Sequence, residues 1–467
     1  MSGYGAESAV VIIVYLIFLL VAGWRFTKTV KPEAEEYLLM GRRLSLPAFV
    51  ASLVSTWYGG ILGVGEYSYK HGLSNWLVFG LPYYLAAFLF AMFLAKRAQA
   101  SRALTIPDQF EKVYGHKTAI LGAVFVFINA IPAAYILQVG VLANSVFGIP
   151  LVPAVIGGAF FSILYIYTGG LRGDIFTDII QFFLMFLGFI IIVATLIFRF
   201  GFLDFLTPSL PATHLTWNGG KPLSYILVWY FIALATLVEP SFYQRCFASR
   251  SGSNAKRGIL ISILFWAFFD FLTTFSGLYA RVLMPDLSDP LAAYPQLGAR
   301  FLPPFLQAIF LLGLFATVMS TVDSYALIAG TTIGKDIIGR LKKGVAQNSR
   351  QITSYSRMGL GLAAALAIGI ALYFRSVIDI WYVFGTLTTV ALLIPLANSF
   401  SSRPRMSARL AVLSMLLSTA VSLAWILPNL IWDTPYYLGI EPIYPGLFVS
   451  GFIYLLGYRR SRHTPRP

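Results

Sequence analysis

The chain has 467 residues, of which 58% are hydrophobic and 11% charged, with a mean hydropathy of +0.76. A soluble globule cannot hide that apolar share in one core, so the composition marks a polytopic membrane protein. The net charge of +15 does not signal nucleic acid, because the basic residues sit in short clusters between oily runs, as topology determinants do.

Windows of about 20 apolar residues predict thirteen spans: a lead span over roughly 8–26 and twelve more beginning near 45, 74, 118, 151, 174, 223, 257, 302, 357, 377, 408 and 443. The lead span has no basic residue before it and RFTKTVK after it, the reverse of a secretory signal, so it reads as a retained anchor with its N-terminus outside. An odd span count then puts the C-terminus in the cytoplasm. On that topology 28 of the 34 basic residues fall on the inner side, and the other six are Lys70, Arg199, Lys221, Arg281, Arg300 and Arg375. This inside excess fixes the orientation in a cell (inner) membrane, with the lipid bilayer as surroundings.

The second span carries Ser55, Thr56 and the pair Gly59-Gly60 near its middle. Glycine pairs beside small polar residues are where a membrane helix unwinds and frees its carbonyls, which lipid tolerates only around a cavity. Close helix packing by small residues is the competing explanation. Glu66, near Tyr67, Tyr69, Lys70 and His71, reads as an outer interfacial residue. In the span from about 118, Gln138 lies nearest mid-membrane, placed either to reach a polar solute or to bond a neighbouring helix.

Gly169 and Gly170 predict a tight inner turn, after which Asp174 and Asp178 follow one helical turn apart on one face. Thr236 and Glu239 are the mid-to-inner polar groups of the span from about 223. Glu239 either faces a solute or pairs with Arg245 as an inner gate. Asp270, in FWAFFDFLTTFSG, is a further intramembrane carboxylate with no lysine or arginine at comparable depth.

The run from Phe315 to Asp336 is an apolar helix seeded with hydroxyls. Thr317, Ser320, Thr321 and Ser324 fall at i, i+3, i+4 and i+7 on one stripe, with Asp323 beside it. Back-bonding to carbonyls one turn earlier explains a single membrane hydroxyl. Four in register beside a carboxylate point instead to a cation site, best suited to sodium, because an ionisable group at this depth costs at least ~2.5 kcal/mol and normally faces an ion, cavity or partner.

Four motifs carry a resemblance to the solute:sodium symporters: M-S-T-V-D-S at 319–324, G-x-x-I-x-x-D at 330–336, G-G-L-x-G-x-x-x-T-D-x-x-Q at 169–181, and Y-Q-R-C-F-A-S at 243–249. The resemblance covers nearly the whole chain. It implies an all-α polytopic fold of about 13 transmembrane helices around a leucine-transporter-type 5+5 inverted-repeat core. Residues 1–44 are then the lead helix and a cytoplasmic linker, 45–400 the ten-helix core, and 401–467 two peripheral helices and a cytoplasmic tail. Each half of the core begins with a span that reads as broken, the pattern of secondary transporters.

The resemblance also implies roles. Sodium is the coupling ion, held by carbonyls of Ala51 and Val54, by Thr317, and by the hydroxyls of Ser320 and Thr321, with Asp178 adjacent. Asp323 and Ser324 form a candidate second ion site. The solute, a small polar organic molecule, lies near Ser55, Trp57, Tyr58, Gln138, Thr236 and Glu239. Family relatives carry an uncharged polar residue where Glu239 stands, which argues against a neutral sugar. Excess carboxylates with no buried cation favour a zwitterionic or cationic solute that Trp57 and Tyr58 hold by cation–π contact.

No Walker sequence and no Cys/His metal cluster are present, Cys246 is alone, and the four histidines fall in predicted loops, so the parts of an ATP-driven pump or a histidine-based membrane enzyme are missing. A proton-coupled carrier using Asp178, Asp323 or Glu239 stays open, as does a non-transporting receptor. A channel fits poorly, because the polar groups are dispersed with no ring of charge.

Overall fold

The computed structural model describes residues 4–27, 34–342 and 349–463, and among these the chain is helical with no β-strand. Among the described residues nine helices are long and apolar enough to cross a membrane, ten if one bent pair counts as a span. Three shorter apolar helices, Ala6–Ala22, Leu151–Ser162 and Ile443–Gly457, coincide with three of the predicted windows.

In chain order, α1 (Ala6–Thr27) leads through the short α2 (Ala34–Leu39) to α3 (Leu46–Trp57) and α4 (Ile61–His71). The span Trp76–Ala100 (α5) and the loop helix α6 (Ile106–Tyr114) follow. Next come α7 (His116–Asn129) and α8 (Ala133–Phe147). The run Leu151–Phe200 is two helices meeting at Gly170, whose φ of 54° and ψ of −166° turn the chain at the predicted glycine pair. Its parts are α9 (Leu151–Ser162) and α10 (Gly170–Phe200). The second half comprises α11 (Leu223–Ile232), α12 (Pro240–Ala248), α13 (Gly252–Leu283), α14 (Pro304–Thr331), α15 (Ser349–Phe374) and α16 (Val377–Ser399). Helices α17 (Ala408–Trp432) and α18 (Ile443–His463) close the chain.

Several starts are written locally. The hydroxyls of Ser251, Ser376 and Ser407 accept from backbone amides three residues on, capping α13, α16 and α17. Apolar character alone does not set a helix's position in the bundle, because lipid accepts apolar side chains as readily as a protein core does. The span containing α14 is the most enclosed, 78% buried, whereas that of α17 is 33% buried and turns leucines outward. Helix α14 packs most extensively on the Leu151–Phe200 run, where Gly188 and Gly313 let the backbones touch: a Cβ on Gly313 would stand 2.8 Å from the Leu184 carbonyl.

On the predicted inner side, α6 is tied to the end of the α14 span. Asp108 accepts from Lys335 at 2.5 Å and Arg340 at 2.6 Å, and Asp336 accepts from the same two cations at 3.0 and 2.5 Å. Burial alone would raise the Asp108 carboxyl, but the two cations outweigh it and hold the group down to about 2. A depressed carboxyl stabilises the fold above its unfolded pKa and loses that contribution as pH falls through the folded value. Asp108→Asn is therefore expected to cost on the order of 1 kcal/mol of stability at pH 7, read as a lower thermal midpoint. In midpoint scans against pH, the gap between the two proteins should stay constant above pH ~4 and close towards pH ~2.

Candidate functional site

Between α3 and α4 the residues Tyr58, Gly59 and Gly60 leave the helix and the chain bends by 57°. The break frees carbonyls in the last turn of α3. Two of them are taken by α14: Ser320 Oγ donates to the Ser55 carbonyl at 2.9 Å, and Thr321 Oγ1 to the Thr56 carbonyl at 2.7 Å. The approach depends on Gly59, since a Cβ there would stand 2.0 Å from Thr321 Oγ1. Thr317 Oγ1 donates back to Gly313, and its carbonyl accepts from Ser320 at 3.1 Å. The Ala51 carbonyl accepts from Ser55 Oγ at 3.0 Å, and that of Val54 accepts from the Trp266 indole at 3.4 Å. Ser320 and Thr321 thus join the broken end of α3 in a buried seam of neutral oxygens, donors suited to a hard monovalent cation, while Thr317 and Ala51 are bonded within their own helices and Val54 meets α13. The hydroxyls meet carbonyls of Ser55 and Thr56, slightly further along α3 than the pair expected from sequence.

Beside the seam lies a guanidinium that sequence analysis put at the inner surface. Arg245 is wholly buried, and its Nη2 stands 3.2 Å from Asp174 Oδ2 and 3.2 Å from Asp178 Oδ2. The same nitrogen lies 2.6 Å from Ser324 Oγ, 3.0 Å from Thr56 Oγ1 and 3.1 Å from Ser52 Oγ. The expected Arg245–Glu239 gate is not formed. Glu239 is the non-helical residue before α12, with ψ of 114°, and its Oε1 accepts from the Ser241 amide at 3.3 Å, capping that half-helix, while Arg245, further along α12, meets α10. The core therefore does hold a buried cation, contrary to the reading from sequence.

This changes the candidate second ion site. Ser324 is engaged by Arg245 and Asp174, and Asp178 is ion-paired through Oδ2, with Ser52 donating to the same atom at 2.5 Å. Asp178 Oδ1 keeps no hydrogen-bond partner among the described residues. Asp323, about 100° round the helix from Ser324, is buried with neither carboxylate oxygen bonded among the described residues.

A cavity of about 140 Å³ opens where several helices are irregular: the α3–α4 break, the α7–α8 junction and the 3-10 turn Ala233–Val238 before α12. Trp57, Tyr58 and Glu239 are in its wall. Ser55, Gln138 and Thr236 are not. Ser55 Oγ is spent within α3, Gln138 Oε1 accepts from the Leu62 amide at 2.8 Å and so caps α4, and the Thr236 hydroxyl is buried without a hydrogen bond among the described residues. The wall adds Asp270, whose two oxygens accept from the Tyr58 and Tyr84 hydroxyls, and the aromatic residues Tyr135, Tyr325 and Trp381. The signal for Asp270 was a carboxylate alone in an apolar run. Nothing in the sequence marked these three aromatics among so many packing residues.

Paired irregular helices around a central cavity, with an oxygen-lined seam beside them, define a secondary transporter. The chain belongs to the sodium:solute symporter family, whose profile matches residues 37–417, and sodium is its coupling ion. It is similar to the sodium/pantothenate symporter of Escherichia coli strain K12, 24% identical over 92% of this chain and 91% of that protein. It is also similar to the human high affinity choline transporter 1, 24% identical over 82% of this chain and 70% of that protein. A solved Na+-coupled sialic acid symporter shares the fold, with a TM-score of 0.78 at 18% identity over 98% of both chains. A nucleobase-cation-symport-1 family transporter aligns with a TM-score of 0.56 at 12% identity, over 90% of this chain and 93% of that one.

Removing one partner of a buried ion pair leaves an uncompensated charge, a loss of about 3–5 kcal/mol. Arg245→Gln strands Asp174 and Asp178, and is expected to lower the thermal midpoint of the purified protein sharply. Arg245→Lys keeps the charge but loses the fork that reaches three hydroxyls at once, and should fall between that variant and the wild type.

Proposed function

We propose that this symporter binds sodium in the seam between α3 and α14 and its solute in the adjoining cavity, and that it imports the two together by alternating access. The observation that carries this reading is the pair of hydroxyls, Ser320 and Thr321, reaching carbonyls freed by the α3–α4 break. The hydroxyl oxygens, with the carbonyls of Ala51, Val54 and Thr317, offer the ligand set. Sodium there holds the broken helix to α14 in the solute-competent form. Linkage then makes sodium raise solute affinity by the same factor that solute raises sodium affinity.

Asp178 acts on this site by charge. Two aspartates against one guanidinium leave the cluster formally one negative charge, which favours a monovalent cation in the adjacent seam. With Ser324 held by Arg245, a second sodium would rest on Asp323, so one sodium per solute is the stoichiometry this arrangement supports best. Residues 45–400 form the transport unit in this reading, with 1–44 and 401–467 peripheral. The N-terminus lies outside and the C-terminus in the cytoplasm of a cell (inner) membrane.

Each lost oxygen ligand costs roughly 1–3 kcal/mol. The double variant Ser320→Ala/Thr321→Ala is expected to weaken sodium binding at least tenfold, measured as the sodium concentration that half-saturates the rise in thermal midpoint. Unchanged sodium-dependent uptake by that variant in proteoliposomes would exclude the seam as the ion site.

A further inference from the structure

The cavity wall contains eight aromatic side chains and two carboxylates, Glu239 and Asp270, and no lysine, arginine or histidine. Both acids are enclosed, 5% and 1% exposed. Their hydrogen-bond donors are neutral: the Tyr58 and Tyr84 hydroxyls serve the two oxygens of Asp270, and the Ser241 amide serves Glu239. Neutral donors satisfy a carboxylate's lone pairs without cancelling its charge, and an enclosed charge without a counter-charge is strongly disfavoured. Arg245 makes no ion pair with either acid and acts on Glu239 only through space, because its contacts are to Asp174 and Asp178.

The half-helix end at this cavity points the same way. In transporters of this architecture, the positive N-terminal end of a half-helix is where an anionic group of the solute binds. Here the chain's own Glu239 occupies that end of α12. An anionic solute would meet a used donor site and two like charges. A cationic one would meet opposite charge and the aromatic side chains of Trp57, Tyr83, Tyr135 and Trp381 in the wall, a residue class whose ring quadrupole attracts an ammonium.

We infer that the solute is a small organic cation, an alkylated ammonium without a carboxylate, its positive centre balanced by Glu239 and Asp270 and boxed by aromatic rings. The inference rests on the cavity being the solute site of the sodium-coupled cycle. Sodium and solute then both carry positive charge inward, so the charge moved per solute exceeds the sodium moved per solute by one.

The test uses the full-length protein purified in sodium or in potassium, with thermal midpoint as readout. The probes are tetramethylammonium, choline, the zwitterion glycine betaine and the neutral choline isostere 3,3-dimethyl-1-butanol. At least one ammonium should raise the midpoint in sodium and not in potassium, while the zwitterion and the neutral isostere do not at equal concentration. Glu239→Gln and Asp270→Asn should each weaken that ammonium at least tenfold while leaving the sodium shift without solute intact. For the stabilising ammonium, proteoliposomes should show the excess of one charge per solute over sodium. Equal stabilisation by the neutral or zwitterionic probe, or none by either ammonium while sodium still stabilises, overturns the cationic solute and leaves the sodium reading standing. Absence of any sodium shift overturns the sodium seam, and the inference with it.

Discussion

A guanidinium sealed from solvent joins four helices of this protein. Arg245 on α12 reaches Asp174 and Asp178 on α10, Ser52 and Thr56 on α3, and Ser324 on α14. In a low-dielectric interior such a group is tolerable only when opposite charge and hydrogen-bond acceptors surround it in one geometry. That requirement positions the last turn of α3 against α14, and so also the carbonyls that Ser320 and Thr321 reach. The oxygen seam is built on the ion cluster beside it.

The bundle holds two electrostatic compartments. On one side, the Arg245 cluster nearly balances charge within the protein beside a seam of neutral oxygens. On the other, the cavity keeps two carboxylates whose neutralisation the chain itself does not provide. Both depend on interruptions of regular helix: the break at Tyr58 to Gly60, the 3-10 turn leading to Glu239 and the α7–α8 junction. Unwound backbone at membrane depth persists where its polar groups find partners, and here Gln138, Ser320 and Thr321 supply them.

Much of this was legible in the sequence. The apolar runs gave the spans, Gly59-Gly60 the break and Gly169-Gly170 the turn. The stripe Thr317, Ser320, Thr321 and Ser324 followed from helical period alone. Arg245 was misplaced because a basic residue near a span end ordinarily marks the inner surface, and nothing local says that two aspartates 67 and 71 positions earlier fold against it. Gln138 was equally ambiguous, since a membrane amide faces solute or backbone according to which helix lies opposite.

Local chemistry, then, determined what this chain could become: apolar length sets the spans, glycine pairs set the breaks, and hydroxyl spacing sets a row of oxygens. These properties depend on neighbours within a turn or two. Which oxygens meet, which carboxylate is paired and which is left facing the cavity depend on contacts between residues far apart in the chain, such as Thr56 with Thr321 or Tyr58 with Asp270. Only the packed bundle decided those, because a buried charge or hydroxyl takes its role from the partner that crosses the helix interface to meet it.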